Sequence, residues 1–387
     1  MKQGWEYKKF SEIFDLQMGR TPARDKKSYW EGDNLWVSIG DMGDCKYISH
    51  TKESISDIAI KEAKMPIVPP DTALMSFKLS IGKTAIASKH LCTNEAIMAF
   101  IPKEGIEVSS EFLYYYLSHY KWEGNRAAMG KTINKRIISD AIISLPPISE
   151  QHSIVAELDK INEIIDLKKA QLKDLDLLAQ SIFYDMFGDP IENPKGWEVK
   201  KLGDNVKVIG GYAFKSKMFA NEGIPVLRIG NINSGVFKST NMVFWEEDSS
   251  LKRYEILPGD LVMSLTGTVG KSDYGNVCVL SEEYPKYYLN QRNAKIEIIS
   301  NIEKYYLAAI LKNEEVKSKL TGISRGVRQA NISNKDIESL QIPLPPLSLQ
   351  QSFAEKIQAI ESQKSAIKQS LAEVETLLAS RMDYWFN

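Results

Sequence analysis

Between Ile154 and Met186, apolar residues recur in alternating steps of four and three. Ile154, Ile161, Lys168, Leu175 and Ile182 share one heptad position; Leu158, Ile165, Leu172, Ala179 and Met186 share the other. All but Lys168 are apolar, which is the seam of a helix that buries one narrow stripe against a second helix. The pattern returns with Phe353, Ile360, Ile367, Val374 and Arg381 set against Ile357, Lys364, Leu371, Leu378 and Trp385. Here Arg381 and Lys364 interrupt an otherwise apolar stripe. The spacing predicts two long helices, each a rod of roughly 57 Å if about 38 residues rise ~1.5 Å apiece.

The helices are copies of one another. Residues 145–188 recur without a gap as 344–387, with 12 of 44 positions identical. Both copies open on a proline pair, Leu145-Pro146-Pro147-Ile148-Ser149-Glu150-Gln151 and Leu344-Pro345-Pro346-Leu347-Ser348-Leu349-Gln350. A repeat near 200 residues is far too long for a solenoid. It describes one unit used twice, a globular segment followed by a helix. Ser348 and Gln351 fit a capping box; in the first copy Ser149 meets His152 instead, a weaker cap.

The globular segments, 1–144 and 189–343, share their openings, Gly4-Trp5-Glu6-Tyr7-Lys8-Lys9 and Gly196-Trp197-Glu198-Val199-Lys200-Lys201. Trp36-Val37-Ser38-Ile39-Gly40-Asp41-Met42 matches Val226-Leu227-Arg228-Ile229-Gly230-Asn231-Ile232, and Val68-Pro69-Pro70-Asp71 matches Leu257-Pro258-Gly259-Asp260. The run from Met75 to Lys83 matches that from Met263 to Lys271. Between these anchors the halves diverge, so a shared scaffold carries different loops. Segments 72–77 and 260–265 read as buried strands entered from proline turns. Segments 110–119 and 302–312 read as helices, and the Gly/Pro content of 188–196 marks a linker. Helix 145–188 leads from one domain into the other. The ends of a domain tend to lie together, so helix 344–387 returns antiparallel beside it.

Composition adds limits. The 43% apolar and 26% charged content suits a globular chain, and no apolar run reaches membrane-spanning length. The amino terminus lacks the apolar core of a signal peptide, and the three scattered cysteines suit a reducing compartment, so a cytoplasmic protein is expected. Four histidines without ligand spacing predict no metal site. A net charge of −1 means that any grip on nucleic acid must come from localised positive charge or from a partner. Gly82-Lys83-Thr84, Gly130-Lys131-Thr132 and Gly270-Lys271-Ser272 lack the leading glycine of a phosphate loop: Phe77, Asn125 and Leu265 stand there. Leu145-Pro146-Pro147-Ile148 lacks the amide and the aromatic of an amino-methyltransferase, and no Glu-x-Lys follows Pro70-Asp71 as a nuclease would need. No catalytic role is expected.

The order domain, Leu-Pro-Pro-x-x-x-Gln helix, domain, Leu-Pro-Pro-x-x-x-Gln helix resembles the specificity subunit of a Type I restriction-modification system. Gly19-Arg20-Thr21-Pro22, with Tyr29-Trp30 and Trp36 to Asp41 downstream, is similar to the opening of a target recognition domain there. So are Gly130 to Asn134 and Gly326 to Asn331, each leading into its proline-pair helix. Gly210-Gly211-Tyr212-Ala213-Phe214 departs from the pattern by lacking Thr-Pro. The resemblance covers essentially the whole chain. It implies an α+β fold: target recognition domain 1 (1–144), spacer helix 1 (145–188), target recognition domain 2 (189–343) and spacer helix 2 (344–387). Two pseudo-symmetric mixed α/β domains are thus separated by an antiparallel two-helix coiled coil. It implies that each domain reads one half of a split site on double-stranded DNA. The helices would dock two methyltransferase subunits, which restriction subunits join. S-adenosylmethionine, ATP and magnesium would be bound by those partners and none by this chain.

Base edges and phosphates are read by Arg, Lys, Asn, Gln and hydroxyl side chains. Such residues recur at matching places: Lys78, Ser80 and Lys83 against Thr266, Thr268 and Lys271. Further candidates are Arg20 and Arg24; Lys215 and Lys217; Arg126, Lys131, Asn134, Lys135 and Arg136; and Arg292, Arg325, Arg328 and Gln329. Each is weighed against an ordinary solvated surface charge. Asn94 and Asn290-Gln291 read as structural hydrogen-bonders, and the aromatic helix ends, Phe183, Tyr184 and Phe187 with Tyr384, Trp385 and Phe386, as packing groups. The rival functional reading is a coiled-coil scaffold with two protein- or glycan-binding domains.

Overall fold

A computed structural model of the chain describes residues 4–43, 45–122, 125–127, 130–268, 271, 273–321 and 329–387; for 125–127, 130–132 and 329 only the backbone is described. The chain folds as two compact units, Met1–Lys169 with Gln369–Asn387, and Ala170–Lys368. Each unit therefore takes half of each long helix with one globular segment, whereas the sequence boundaries set whole helices apart from the domains. The reason is packing. Ile154 and Leu158 are fully buried in the first core, and Phe183, Phe187 and Phe353 in the second, each stabilising by ~2 kcal/mol through apolar burial.

In the first unit a five-stranded sheet runs in the order Phe14–Met18, Ile97–Pro102, Ala73–Ser76, Thr84–Ala87, Tyr47–Ile48. A second sheet holds Glu53–Ile55, Asn34–Val37 and Cys92–Thr93. The helix Ser110–His119 covers the first sheet with Phe112, Leu113, Tyr116 and Leu117. The predicted strand at 72–77 is Ala73–Ser76, buried at all four positions. The second unit repeats the plan with Val206–Gly210, Asn293–Ile298, Leu261–Ser264 and Val277–Val279, four strands among the described residues. Its helix Lys304–Lys312 is capped by Glu303, whose carboxylate accepts from the N–H groups of Tyr305 and Tyr306.

The matching openings close each unit on itself. Glu6–Lys9 pairs antiparallel with Ile142–Leu145, and Val199–Lys201 with Gln341–Pro343. The proline pair then ends the strand and starts the helix, because a residue without an N–H serves neither a ladder nor a helix interior. The long helices run Ile148–Phe187 and Leu347–Phe386. They begin earlier than a cap at Ser149 or Ser348 would allow, so the capping box does not form. Instead the Pro147 carbonyl accepts from the N–H groups of Glu150 and Gln151, and that of Pro346 from Leu349 and Gln350.

Gln151 and Gln350, both fully buried, anchor these helix starts. Gln151 Oε1 accepts from the Ser109 N–H at 2.9 Å while Nε2 donates to the Pro146 carbonyl at 2.9 Å. Gln350 does the same with the Glu303 N–H and the Pro345 carbonyl, both at 2.8 Å. Each glutamine thus ties the long helix to the cap of the helix covering its sheet.

The helix segments run antiparallel within each unit. In the first, Arg381 forks onto Glu157, Trp385 Nε1 donates to Glu157 at 3.1 Å, and Lys169 meets Glu375 at 3.6 Å. In the second, Lys364 meets Asp176 at 2.8 Å and Phe353 packs on Phe183 and Phe187. Of the heptad positions, Ile154, Leu158, Ile161, Ile165, Phe353 and Ile360 are buried; Leu172, Leu175, Ile357, Ile367, Leu371, Val374 and Leu378 are half-buried. The two polar intruders of the second helix are paired, Arg381 with Glu157 and Lys364 with Asp176 and Glu361. Phe386 packs edge-on against Phe112 and Tyr116, so the second helix ends inside the first unit's core.

Candidate nucleic-acid interface

In both units the buried central strand ends in a serine that organises the loop beyond it. Ser76 donates its N–H to the Lys83 carbonyl at 2.9 Å, and its Oγ accepts from the Lys83 N–H at 3.1 Å and donates to the Ser80 carbonyl. Ser264 makes the same bonds with Asn276, at 2.9 and 3.1 Å. Gly82 and Gly275, at φ +86° and +72°, close the two loops onto the serine carbonyl. The structural partner of Lys83 is therefore Asn276 and not Lys271. Lys83 follows its serine by 7 positions and Asn276 by 12. The second loop is longer, and an ungapped comparison cannot see that.

A second register shift lies at the start of the same strand. The Asp71 N–H donates to the Ala87 carbonyl and the Gly259 N–H to that of Leu280, so Asp71 matches Gly259. Both hold positive φ, at +57° and +85°.

Two segments flank each loop. Phe77 donates to the Ala96 carbonyl at 2.9 Å and accepts from the Ile133 N–H at 3.2 Å; Leu265 does so with Arg292 and Ile332, both at 2.8 Å. Asn94 Oδ1 accepts from the Ala96 N–H at 3.0 Å and Asn290 Oδ1 from the Arg292 N–H at 3.3 Å, so these asparagines shape turns. Gly19 and Gly211 lie against the same turns: a Cβ would stand 2.2 Å from the Thr93 carbonyl oxygen, or 2.3 Å from that of Asn290. This close approach explains why Gly211 persists where the Thr-Pro does not.

The structure gathers some candidates and disperses others. Thr21 donates to Glu95, and that hydrogen bond holds the Glu95 carboxyl below its usual range, helped by the nearby charges of Lys78 and Arg24. Arg20 Nη1 donates to the Ala63 carbonyl at 2.8 Å. Arg24 lies 3.8 Å over the Trp30 ring and forks onto Glu53, so its charge is already engaged. Lys78 is half-buried, Ser80 and Lys83 are exposed, and Lys83 Nζ reaches the Met42 carbonyl at 3.3 Å. In the second unit Thr266 and Thr268 pair across a two-stranded ladder with Asn331 and Gln329, and Arg292 is exposed at the neighbouring turn. Thr268 is held by Asp273 at 2.9 and 3.1 Å. Lys271 is exposed.

Asn134 caps the helix Lys135–Asp140, accepting from the Ile137 N–H at 3.0 Å. Exposed Lys135 and Arg136 lie on that helix, which packs against Phe10–Ile13; Arg136 faces Asp140 at 3.8 Å. Lys215 and Lys217 are exposed on and beside the short turn Ser216–Met218. Arg325 and Arg328 lie outside the described residues, as do the side chains of Arg126, Lys131 and Gln329. Sequence reasoning missed Glu95 and Tyr212. Tyr212 takes the place of Arg20: its N–H bonds the Leu289 carbonyl as that of Arg20 bonds Thr93, both at 2.8 Å. The only signal for Glu95 was the matched pairing of Asn94-Glu95 with Asn290-Gln291.

Burial pushes the Cys92 and Cys278 thiols up to about 11 and about 12, leaving neither as a nucleophile near neutral pH. Among the described residues, no three of His, Cys, Asp and Glu gather in a metal-holding cluster, and no helix is long and apolar enough to cross a membrane.

The Type I restriction modification DNA specificity domain family matches residues 2–176 and 194–376. The chain is 28% identical over 384 residues to the Type I restriction enzyme MjaIX specificity subunit of Methanocaldococcus jannaschii, covering 92% of this chain and 86% of that protein. Over 193 residues it is 24% identical to the EcoKI specificity subunit of Escherichia coli, covering 48% of this chain and 40% of that one. Its fold is similar to a chain from a study of complex assembly and conformational transition of the type I R-M system, with a TM-score of 0.63, 18% identity and coverage of 100% and 98%. It is also similar to the S subunit of a Type I restriction-modification system from M. genitalium, with a TM-score of 0.56, 15% identity and coverage of 99% and 97%.

Proposed function

The chain belongs to the Type I restriction modification DNA specificity domain family, and from that membership we propose that, as a specificity subunit, it reads a bipartite, asymmetric site on double-stranded DNA. Each unit reads one half-site through the serine loop and its flanking segments. The long helices dock two methyltransferase subunits, which restriction subunits join, and their length sets the spacer between half-sites. S-adenosylmethionine, ATP and magnesium belong to those partners; this chain contributes recognition and no catalytic group.

One observation carries the reading. The two units share a scaffold down to single hydrogen bonds at Gln151 and Gln350, and at Ser76 and Ser264, yet differ in loop length and residues where the shared turns present side chains. Constant support with variable tips is the arrangement expected of paired readers.

Methylome sequencing of cells with and without the gene tests it. A split motif with unequal halves, lost on deletion, is expected; a continuous motif, or an unchanged methylome, would contradict it. Inserting four residues in each long helix adds ~6 Å, nearly two steps of the ~3.4 Å duplex rise. The spacer should change while both half-sites persist.

A further inference from the structure

The serine loop of the first unit carries at its tip a side chain that recognition by hydrogen bonds does not use. Leu79 is 63% exposed, the most exposed large apolar side chain among the described residues. It holds φ +65°, and it is the only apolar side chain at positive φ among the described residues. Both features oppose folding. An L-residue with a Cβ is strained in this region, and leucine has no side-chain hydrogen bond to offset the strain. The loop nonetheless fixes it there. The Ser80 N–H turns back to the Lys78 carbonyl at 2.8 Å, Ser76 Oγ holds the Ser80 carbonyl, and Gly82 closes on Ser76 at 3.0 Å. Lys78 and Ser80 flank the leucine, and Lys83 stands at the loop base.

We infer that Leu79 is a wedge that inserts between stacked base pairs of the half-site read by the first unit, with Lys78 and Ser80 on the adjoining backbone. The inference rests on the proposed DNA-reading role. An apolar side chain beside cationic and hydroxyl groups, on a hydrogen-bonded turn, suits a step that is forced open while its phosphates are held. Pyrimidine–purine steps unstack most readily, so the wedge selects sequence through deformability and not through base edges.

In the second unit the third residue after the serine is Gly267, where a Cβ would stand 2.4 Å from Asp273 Oδ1, and the segment Thr266–Thr268 is tied into a ladder, so the wedge is assigned to the first unit's half-site.

The test uses the chain assembled with its methyltransferase subunits and duplexes bearing its methylated site. 2-Aminopurine replaces one base at a time, at positions other than the methylated adenine. The wild-type complex should raise the fluorescence at one step of the first unit's half-site by about twofold or more as stacking is lost. Leu79→Gly and Leu79→Ala should abolish the rise. Leu79→Met should keep it. Leu79→Gly should also leave the melting temperature of the chain unchanged or higher, because strain and an exposed apolar group are removed together. A signal undiminished in Leu79→Gly overturns the wedge while leaving the DNA-reading role intact. Failure of the wild-type complex to bind its site at all would overturn that role and the wedge with it.

Discussion

Gln151 and Ser109 are joined by a buried hydrogen bond, side-chain Oε1 to backbone N–H at 2.9 Å, and Gln350 repeats the bond with Glu303 at 2.8 Å. The last residue of the Leu-Pro-Pro-x-x-x-Gln motif is thus the rivet between each long helix and its globular domain. Replacing Gln151 with leucine strands the Ser109 N–H and the Pro146 carbonyl in an apolar setting. At ~1–3 kcal/mol for each of the two orphaned groups, the first unit should lose about 2–6 kcal/mol. Denaturant unfolding followed by a probe in that unit would show it; a loss under ~0.5 kcal/mol, the size of an ordinary surface change, would reduce the motif to a sequence marker.

Acid should loosen the first unit through Glu111. Burial alone would raise this carboxyl, but hydrogen bonds from Tyr47, Ser109 and Ser110 outweigh it and bring it down to about 2 from an ordinary 4.5. Its stabilising contribution is therefore complete above pH 4.5 and is lost as the pH falls toward 2. Glu111→Gln should flatten the acid limb of the stability profile in that interval. An acid limb unchanged in the variant would show that Tyr47 and the serines do not depend on the charge.

Lys78 and Arg24, both candidate DNA contacts from the sequence, differ in what they already engage. Arg24 is neutralised by Glu53 and stacked on Trp30; Lys78 stands on the loop beside Leu79. Lys78→Ala should weaken binding and lower the slope of log affinity against log salt by about one. Arg24→Ala should leave the slope unchanged. Equal slopes for the two variants would place the interface elsewhere.

Much of this architecture was readable in the residues. Heptad spacing and the doubled proline pair located both long helices, and the helix at 110–119 was read with its observed bounds. Lys364 and Arg381 looked like defects in the seam and are instead ion-paired within it, which only the partner helix reveals. The serine loops defeated ungapped comparison because an insertion in a loop moves every later residue while leaving the closing hydrogen bonds in place. So Lys271 was set opposite Lys83 although Asn276 holds that position. The capping box failed for another reason. Its residues are present, but a preceding proline carbonyl starts the helix first and a buried glutamine takes over the anchoring. The engagement of Arg24 by Glu53, 29 residues away, has no local signal at all.

The central claim is that each unit reads its own half of a split site. Residues 1–144 can be replaced by the matching segment of a relative with another specificity, keeping the leucine-proline-proline junction and the aromatic positions of Phe112 and Tyr116 that receive the second helix. Methylome sequencing of cells carrying the hybrid complex should show one half-site replaced, with the other half and the spacer as before. A motif changed in both halves, or in neither, would contradict the account.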